Sequence, residues 1–227
     1  MAEYFSEDTF TFLRRLGENN NRDWFNAHKD EYEQMVREPA LAFIRAMQPE
    51  LARFAPHFVA VDKKVGGSLM RVYRDVRFGK NKQPYKTNIG IQFRHEVGKD
   101  VHAPGFYLHI EAHEVFVGAG IWHPDSETLK KIRTYIDAHP TRWNDAMNDV
   151  GFNKAFQMGG DSLKRAPKGY PMDHAMIEEL KRKDFIAIAP FMPELILQDD
   201  LVGLIGSYFE TAEPLMQQLC RAIGVKY

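Results

Sequence analysis

The chain has 227 residues, of which 44% are hydrophobic and 27% are charged, and its formal net charge is −1. This composition supplies enough apolar side chains for a folded core, and it excludes an intrinsically disordered protein. A chain of this length is near the upper limit for one hydrophobic core, so we expect a single domain over residues 1–227.

The sequence also favours a cytoplasmic protein. The chain does not begin with a basic and apolar leader, and no run of about eighteen apolar residues is present to cross a membrane. The single cysteine, Cys220, lies in a helical pattern of leucine and isoleucine residues, which predicts a buried core thiol without special reactivity. We therefore expect no membrane association and no internal disulfide.

Helical patterns open the chain. Ser6 is expected to cap a first helix, which ends near Gly17. A second helical pattern runs from Trp24 to Met35 and is expected to stop before Pro39, which then opens a third helix.

From Val65 the pattern alternates between apolar and polar residues, which predicts strands. Short connections between the strands favour antiparallel pairing. Strands are expected at 68–77, 88–94, 106–111 and 115–121, with one more near 185–189. The predicted fold class is α+β, with an antiparallel sheet, whose main strands lie within about 65–121, flanked by N-terminal and C-terminal helices.

The second half of the chain is predicted to be mainly helical. Helical patterns occupy residues 126–136, 140–147 and 172–183, and residues 159–171 are expected to form a long surface loop. Residues 201–223 are predicted to form one long helix, bent at Pro214.

The distribution of charge is the strongest functional signal. Residues 63–94 contain nine basic side chains and one carboxylate, Asp75, which gives this segment nine minus one, a net charge of +8. Because the whole chain carries −1, the remaining residues carry −9. Such asymmetry indicates either an anion-binding site or a basic surface that pairs with the acidic remainder.

The basic residues within 71–86 are spaced in a way that suits an anion. In a strand, Arg71, Tyr73, Asp75 and Arg77 would share one face. Asp75 would then hold one guanidinium in place while another stays free to bind phosphate or carboxylate. Asp75 is also the nearest candidate for a catalytic base. The candidate ligand-binding residues are Arg71, Arg74, Arg77, Lys80, Lys82, Tyr85 and Lys86.

The same segment carries a family resemblance. The run RVYRDVRFGKNKQPYKT at residues 71–87 resembles the hallmark of DUF2461, a bacterial family of domains of unknown function. Further similarity lies within residues 12–32, which include the run NNNRDWF, and at 104–107 and 118–124. The resemblance implies a shared fold over at least the first 140 residues, and it implies no established activity.

Other polar clusters give weaker signals. His109, Glu111 and His113 would share one strand face at a spacing that suits a divalent metal, but no HExxH or CxxC motif accompanies them. Gly118 and Gly120 lack the third glycine of a dinucleotide-binding fingerprint and are expected to serve close packing. The sequence therefore predicts no metal and no cofactor.

The function that the sequence favours is the binding of an anion, in particular a phosphate group, by residues 71–86. A phosphorylated small molecule suits the near-neutral total charge better than a nucleic acid, which requires a broad basic stripe. Three alternatives stay open: an enzyme that acts on a phosphate-bearing substrate, a nucleic-acid-binding or acidic-motif interaction module, and a purely structural basic hairpin. The oligomeric state is also left open.

Overall fold

A computed structural model describes residues 4–77, 81–98 and 102–227 of the chain. Helices pack against a five-stranded antiparallel sheet, which confirms the predicted α+β class. The buried apolar side chains of the helices and the sheet form one continuous cluster. No helix in the described ranges has both the length and the apolar composition that crossing a membrane requires.

The N-terminal third of the chain is helical. The helices are α1 (Glu7–Glu18), α2 (Arg22–Ala27), α3 (Lys29–Tyr32) and α4 (Glu38–Phe54), and a π-helical turn (Glu33–Arg37) joins α3 to α4. The prediction that the second helix stops before Pro39 was wrong, because the π-helical turn continues directly into α4. Pro39 lies in the first turn of α4 and donates no hydrogen bond to the preceding turn, where Met35 O accepts one from Thr9 Oγ1 at 2.8 Å instead.

The sheet has the strand order β1-β2-β3-β5-β4, and every neighbouring pair is antiparallel. Four of the strands lie where the sequence predicts them, whereas the three-residue β4 was not predicted. The strands are β1 (Asn88–Arg94), β2 (Gly105–Glu111), β3 (Val115–Ile121), β4 (Gln157–Gly159) and β5 (Phe185–Phe191).

The two faces of the sheet differ in burial. Along β2 the buried residues Phe106, Leu108 and Ile110 alternate with half-buried residues, as expected for a strand with one face on the core. The core face packs against α4 and against two C-terminal helices, α9 (Leu201–Thr211) and α10 (Glu213–Ile223). The opposite face is polar where β1 and β2 meet, and carries Asn88, Tyr107, His109 and Glu111.

The C-terminal half departs from the prediction at two helices. Residues 201–223 form α9 and α10 and not one bent helix, and Pro214 lies in the first turn of α10. The helix predicted at 172–183 is restricted to α8 (Ile177–Lys181). Between β3 and β4 lie α5 (Ser126–Ala138), α6 (Pro140–Met147) and α7 (Val150–Ala155), and a 3₁₀ turn (Pro193–Leu197) follows β5.

The predicted strand at 68–77 is not continuous. The segment runs antiparallel to residues 85–91 but pairs through two isolated bridges, Leu69 with Ile91 and Tyr73 with Tyr85. The bridges are four residues apart in the first segment (73 − 69) and six apart in the second (91 − 85). This mismatch interrupts the hydrogen-bond ladder, as a bulge does.

Candidate anion-binding site

Residues 69–77 and 81–91 form an irregular antiparallel hairpin, called here the basic hairpin. Two backbone hydrogen bonds join its two arms: Arg74 N donates to Pro84 O at 2.9 Å, and Lys86 N donates to Val72 O at 2.7 Å. Exposed and more buried residues alternate along residues 71–77 as predicted, with Arg71 exposed, Val72 buried and Arg74 half-buried. The local period of two therefore survives the interruption of the ladder.

The turn between α1 and α2 holds the second arm of the hairpin at Tyr85. The side-chain amide of Asn20 donates to Tyr85 O at 3.0 Å, and its carbonyl oxygen accepts from Tyr85 N at 3.1 Å. The Phe25 ring stacks on the Tyr85 ring at a centroid distance of 4.0 Å. Tyr85 is 3% exposed, so its buried ring anchors the hairpin to the core.

Asp75 and Arg77 form an ion pair as the sequence pattern suggested. Arg77 Nε donates to Asp75 Oδ1 at 3.0 Å and Arg77 Nη2 donates to Oδ2 at 2.7 Å, while the backbone N–H of Arg77 also donates to Oδ1 at 3.1 Å. These hydrogen bonds hold the pKa of Asp75 well below its ordinary value, and the charge of Arg71 adds to the effect. A carboxylate held in this way is a weak proton acceptor, so Asp75 suits an orienting role better than that of a base.

Arg71, Arg74 and Lys86 form a cation cluster on the hairpin. None of the three has an ion-pair partner among the residues that the structure describes. Burial lowers the pKa of Lys86, and the charges of Arg71 and Arg74 lower it further. Arg74 Nε is buried and has no hydrogen-bond partner within the described ranges. The cluster thus places charged donors in mutual repulsion with no ion pair among the described residues, and Asp75 acts on it only through the charge of Arg71. A bound anion relieves repulsion of this kind.

A comparison with protein families covers most of the chain. A family model described as a conserved hypothetical protein (DUF2461) matches residues 8–217. The chain belongs to the DUF2461 family. A search of the curated proteins found no match. Two of the segments that carry the DUF2461 resemblance, residues 19–25 and 71–87, contact each other through the Asn20 and Phe25 interactions with Tyr85.

Arg22 lies near the basic hairpin, but the sequence did not identify it as a candidate ligand-binding residue. Burial raises the pKa of Tyr85, as does the neighbouring Tyr73, whereas the charge of Arg22 acts in the opposite direction. Arg22 therefore adds positive potential close to the Tyr85 ring. Arg22 is the first residue of α2. The only sequence feature that pointed to it was its place in the NNNRDWF run.

Two further predicted site residues, Lys82 and Arg77, lie toward the tip of the hairpin. Lys82 Nζ donates to Val76 O at 2.8 Å, which ties the second arm of the hairpin to the first. Lys80, which the sequence also selected, lies outside the described residues. The structure thus brings Arg71, Arg74 and Lys86 together at the base of the hairpin and separates Lys82 and Arg77 toward its tip.

A groove on another part of the surface does not suit an anion. A shallow groove of about 750 Å³ lies between α6 and α10, away from the basic hairpin. Its lining has four carboxylates and two arginines, a net charge of −2. The charged lining residues are Arg142, Asp145, Asp149, Glu210, Glu213 and Arg221.

Asp184, a buried carboxylate at the end of the sheet away from the basic hairpin, was also missed in the sequence analysis. Asp184, 1% exposed, accepts hydrogen bonds from the backbone N–H groups of His123 at 2.8 Å and Asp161 at 2.9 Å, and lies 2.7 Å from His123 Nδ1. Burial raises the pKa of Asp184, but these hydrogen bonds and the His123 charge outweigh it and hold the pKa below its ordinary value. Gly120 packs beside this turn with φ +131°, and a Cβ there would lie 1.9 Å from Phe185 O, which confirms its expected packing role.

Proposed function

We propose that this DUF2461 protein binds a small phosphate-bearing ligand at the cation cluster of Arg71, Arg74 and Lys86. The observation that carries the proposal is the grouping of three cations that lack an ion-pair partner among the described residues. Two of them are half-buried, so solvent screens their repulsion less than it would at an exposed site. An anion neutralises this repulsion.

The chemistry of the donors favours phosphate. Two guanidinium groups offer planar pairs of N–H donors that match phosphate oxygens, and Lys86 adds a compact point charge. Arg74 Nε is buried without a partner, and an anion oxygen supplies the acceptor that it lacks.

Two observations favour a small ligand over a nucleic acid. The chain carries a net charge of −1, so its total field does not attract polyanions. The cluster lies at the base of the hairpin, whereas Arg77 is paired with Asp75 and Lys82 is tied to a backbone carbonyl. The donors available to a ligand therefore form a compact group and not a long stripe.

Thermal unfolding of the full chain tests the proposal. Inorganic phosphate, a nucleoside monophosphate, a nucleoside triphosphate and a short oligonucleotide are each added at two salt concentrations, because a ligand of the native state raises the midpoint. We expect a shift with at least one small phosphate compound and its loss in Arg74→Gln. The matched control is Lys130→Ala, which removes one positive charge from an exposed position of α5 and must leave the shift intact.

Other outcomes assign the alternatives. A shift with the oligonucleotide alone, steeply reduced by salt, overturns the small-ligand proposal in favour of a nucleic-acid module. No shift with any anion, together with a loss of stability in Arg74→Gln, assigns the cluster a structural role. Turnover of a phosphate compound that stabilises the protein identifies an enzyme.

A further inference from the structure

A second group of polar side chains lies on the half-exposed face of the sheet, at the end of β2. One ligand-type atom from each of His109, Glu111 and Glu114 lies within 4.8 Å of the other two. The sequence pattern pointed to His113 as the third member, but β2 ends at Glu111 and the turn that follows brings Glu114 to the cluster instead.

The β2–β3 hairpin explains this placement. His109 and Glu111 are two residues apart in a strand, so both side chains project from the same face. The N–H of Glu111 donates to Glu114 O at 2.8 Å, which closes the turn and returns Glu114 to the end of β2. Across the hairpin, Phe116 pairs with His109, and their rings stack at 4.5 Å with an interplanar angle of 8°.

The imidazole of His109 is oriented through its other nitrogen. Nδ1 lies 3.2 Å from the Tyr107 hydroxyl and 3.4 Å from Asn88 Nδ2, so polar partners are concentrated on this side of the ring. When Nδ1–H donates to the Tyr107 oxygen, the lone pair lies on Nε2, which is the tautomer that a metal requires; Asn88 Nδ2, itself a donor, is then a neighbour of Nδ1 and not its hydrogen-bond partner. Gly90 is the cross-strand partner of His109. It makes room for the Tyr107 hydroxyl, because a Cβ at position 90 would lie only 2.8 Å from that oxygen.

The other nitrogen, Nε2, is buried and has no hydrogen-bond partner within the described ranges. It lies 3.6 Å from Glu111 Oε2, too far for a hydrogen bond. The second oxygen of Glu111, Oε1, accepts a hydrogen bond of 2.6 Å from Thr87 Oγ1. Thr87 therefore fixes the carboxylate so that Oε2 is directed toward the side where Nε2 lacks a partner.

We infer that His109, Glu111 and Glu114 form a binding site for one divalent transition-metal ion, with Zn²⁺ as the preferred occupant. An imidazole nitrogen and two carboxylate oxygens are typical zinc ligands. In a tetrahedral site with bonds of about 2.0–2.1 Å, ligand atoms are about 3.3 Å apart. The 3.6 Å between His109 Nε2 and Glu111 Oε2 is close to that separation, and a carboxylate oxygen of the exposed Glu114 lies within 4.8 Å of both ligand atoms.

The inferred site has a recognisable outer shell. Tyr107 orients the histidine and Thr87 orients Glu111, as the partners of metal-bound histidines and carboxylates do in metalloproteins. Three protein ligands leave the fourth position of a tetrahedral ion open to water or substrate, the arrangement of catalytic zinc sites and not of closed structural ones. The inferred metal site shares no residue with the cation cluster and is independent of the proposed phosphate binding.

Titration of the full chain with metal tests the inference. Protein stripped with a chelator and exchanged into clean buffer is titrated with ZnCl₂ by calorimetry, with MgCl₂ as a comparison, and Co²⁺ provides the visible absorption spectrum of a bound ion. We expect one tight Zn²⁺ per chain, a raised melting midpoint, and weaker binding of Mg²⁺, which prefers oxygen ligands.

Variants identify the ligands. Glu111→Gln keeps the shape and the Thr87 hydrogen bond but removes the charge, and it is expected to weaken Zn²⁺ binding at least tenfold. Thr87→Val leaves all three ligands in place and is expected to weaken binding about tenfold through loss of orientation. His113→Ala is the matched control, because it removes a histidine from the same turn without touching the cluster.

The metal-free melting midpoint of each variant separates loss of folding from loss of binding. The inference is overturned if the wild type binds no Zn²⁺, if Glu111→Gln and His109→Asn bind it as the wild type does, or if His113→Ala abolishes the tight site.

Discussion

Replacement of Lys86 by methionine gives the sharpest test of the cation cluster. Burial and the charges of Arg71 and Arg74 lower the pKa of Lys86, which means that the folded protein disfavours its charged form. Methionine has similar length and no charge, so Lys86→Met removes the repulsion and fills the same space. A binding site of this kind costs stability when it is empty, and we therefore expect the variant to be more stable than the wild type.

The expected gain is about 1 kcal/mol. Two unit charges about 8 Å apart interact by about 2 kcal/mol at an effective dielectric constant of about 20, and solvent and salt reduce this value. For a chain of this size, about 1 kcal/mol raises the melting midpoint by about 2–4 °C. Phosphate raises the wild-type midpoint toward that of the variant and leaves the variant unchanged.

The pH dependence has a definite sign. Because the folded-state pKa of Lys86 lies below its unfolded value, the unfolded chain binds more protons between the lowered pKa and about 10.4. Wild-type stability therefore rises with pH in this window relative to Lys86→Met. Comparing the two proteins cancels the opposing effect of tyrosines with raised pKa, such as Tyr107 at about 12. A variant that is less stable than the wild type, or that keeps the phosphate shift, refutes the reasoning.

Three further predictions concern the support of the fold. Asn20→Ala removes both hydrogen bonds to the Tyr85 backbone and is expected to lower the free energy of unfolding by about 1–3 kcal/mol, measured by urea denaturation, with Asn153→Ala, an exposed asparagine of α7, as the control. Gly120→Ala places a Cβ 1.9 Å from Phe185 O at φ +131° and is expected to abolish soluble folded protein; a wild-type melting midpoint contradicts the assigned packing. Burial raises the pKa of the Cys220 thiol to about 12, so a thiol reagent at neutral pH is expected to label Cys220 only at the rate of unfolding; rapid labelling of native protein contradicts its core position.

The sequence predicted the sheet well where the alternation of apolar and polar residues was strict. The prediction of β3 at residues 115–121 matches its bounds, and β5 differs by two residues at its end. The three-residue β4 could not be predicted, because its pairing with β5 depends on the tertiary path of the chain and not on local composition.

The sequence predicted which residues make up the basic hairpin, but not how they are held in place. The basic residues and the Asp75–Arg77 pair follow from local spacing, since the partners are two residues apart. The Asn20 contacts with Tyr85 join residues 65 apart in sequence, and no periodicity indicates such a contact. The exchange of His113 for Glu114 in the second cluster has a similar cause: where a strand ends, the period of two no longer decides which side chain shares its face.

Residues 86–88 connect the two proposed sites, because Lys86 belongs to the cation cluster while Thr87 and Asn88 contact Glu111 and His109. Linkage decides whether the sites act on one ligand. If a phosphate oxygen occupies the open position of a bound Zn²⁺, then Zn²⁺ raises the affinity for phosphate, and phosphate raises the affinity for Zn²⁺ by the same factor. Equal phosphate affinities with and without Zn²⁺, measured on wild type and on Glu111→Gln, show instead two independent sites that share a short stretch of backbone. Reciprocal coupling that Glu111→Gln and Lys86→Met each remove would point to metal-assisted chemistry on a phosphate ester, with the arginines stabilising the charge that develops on its oxygens.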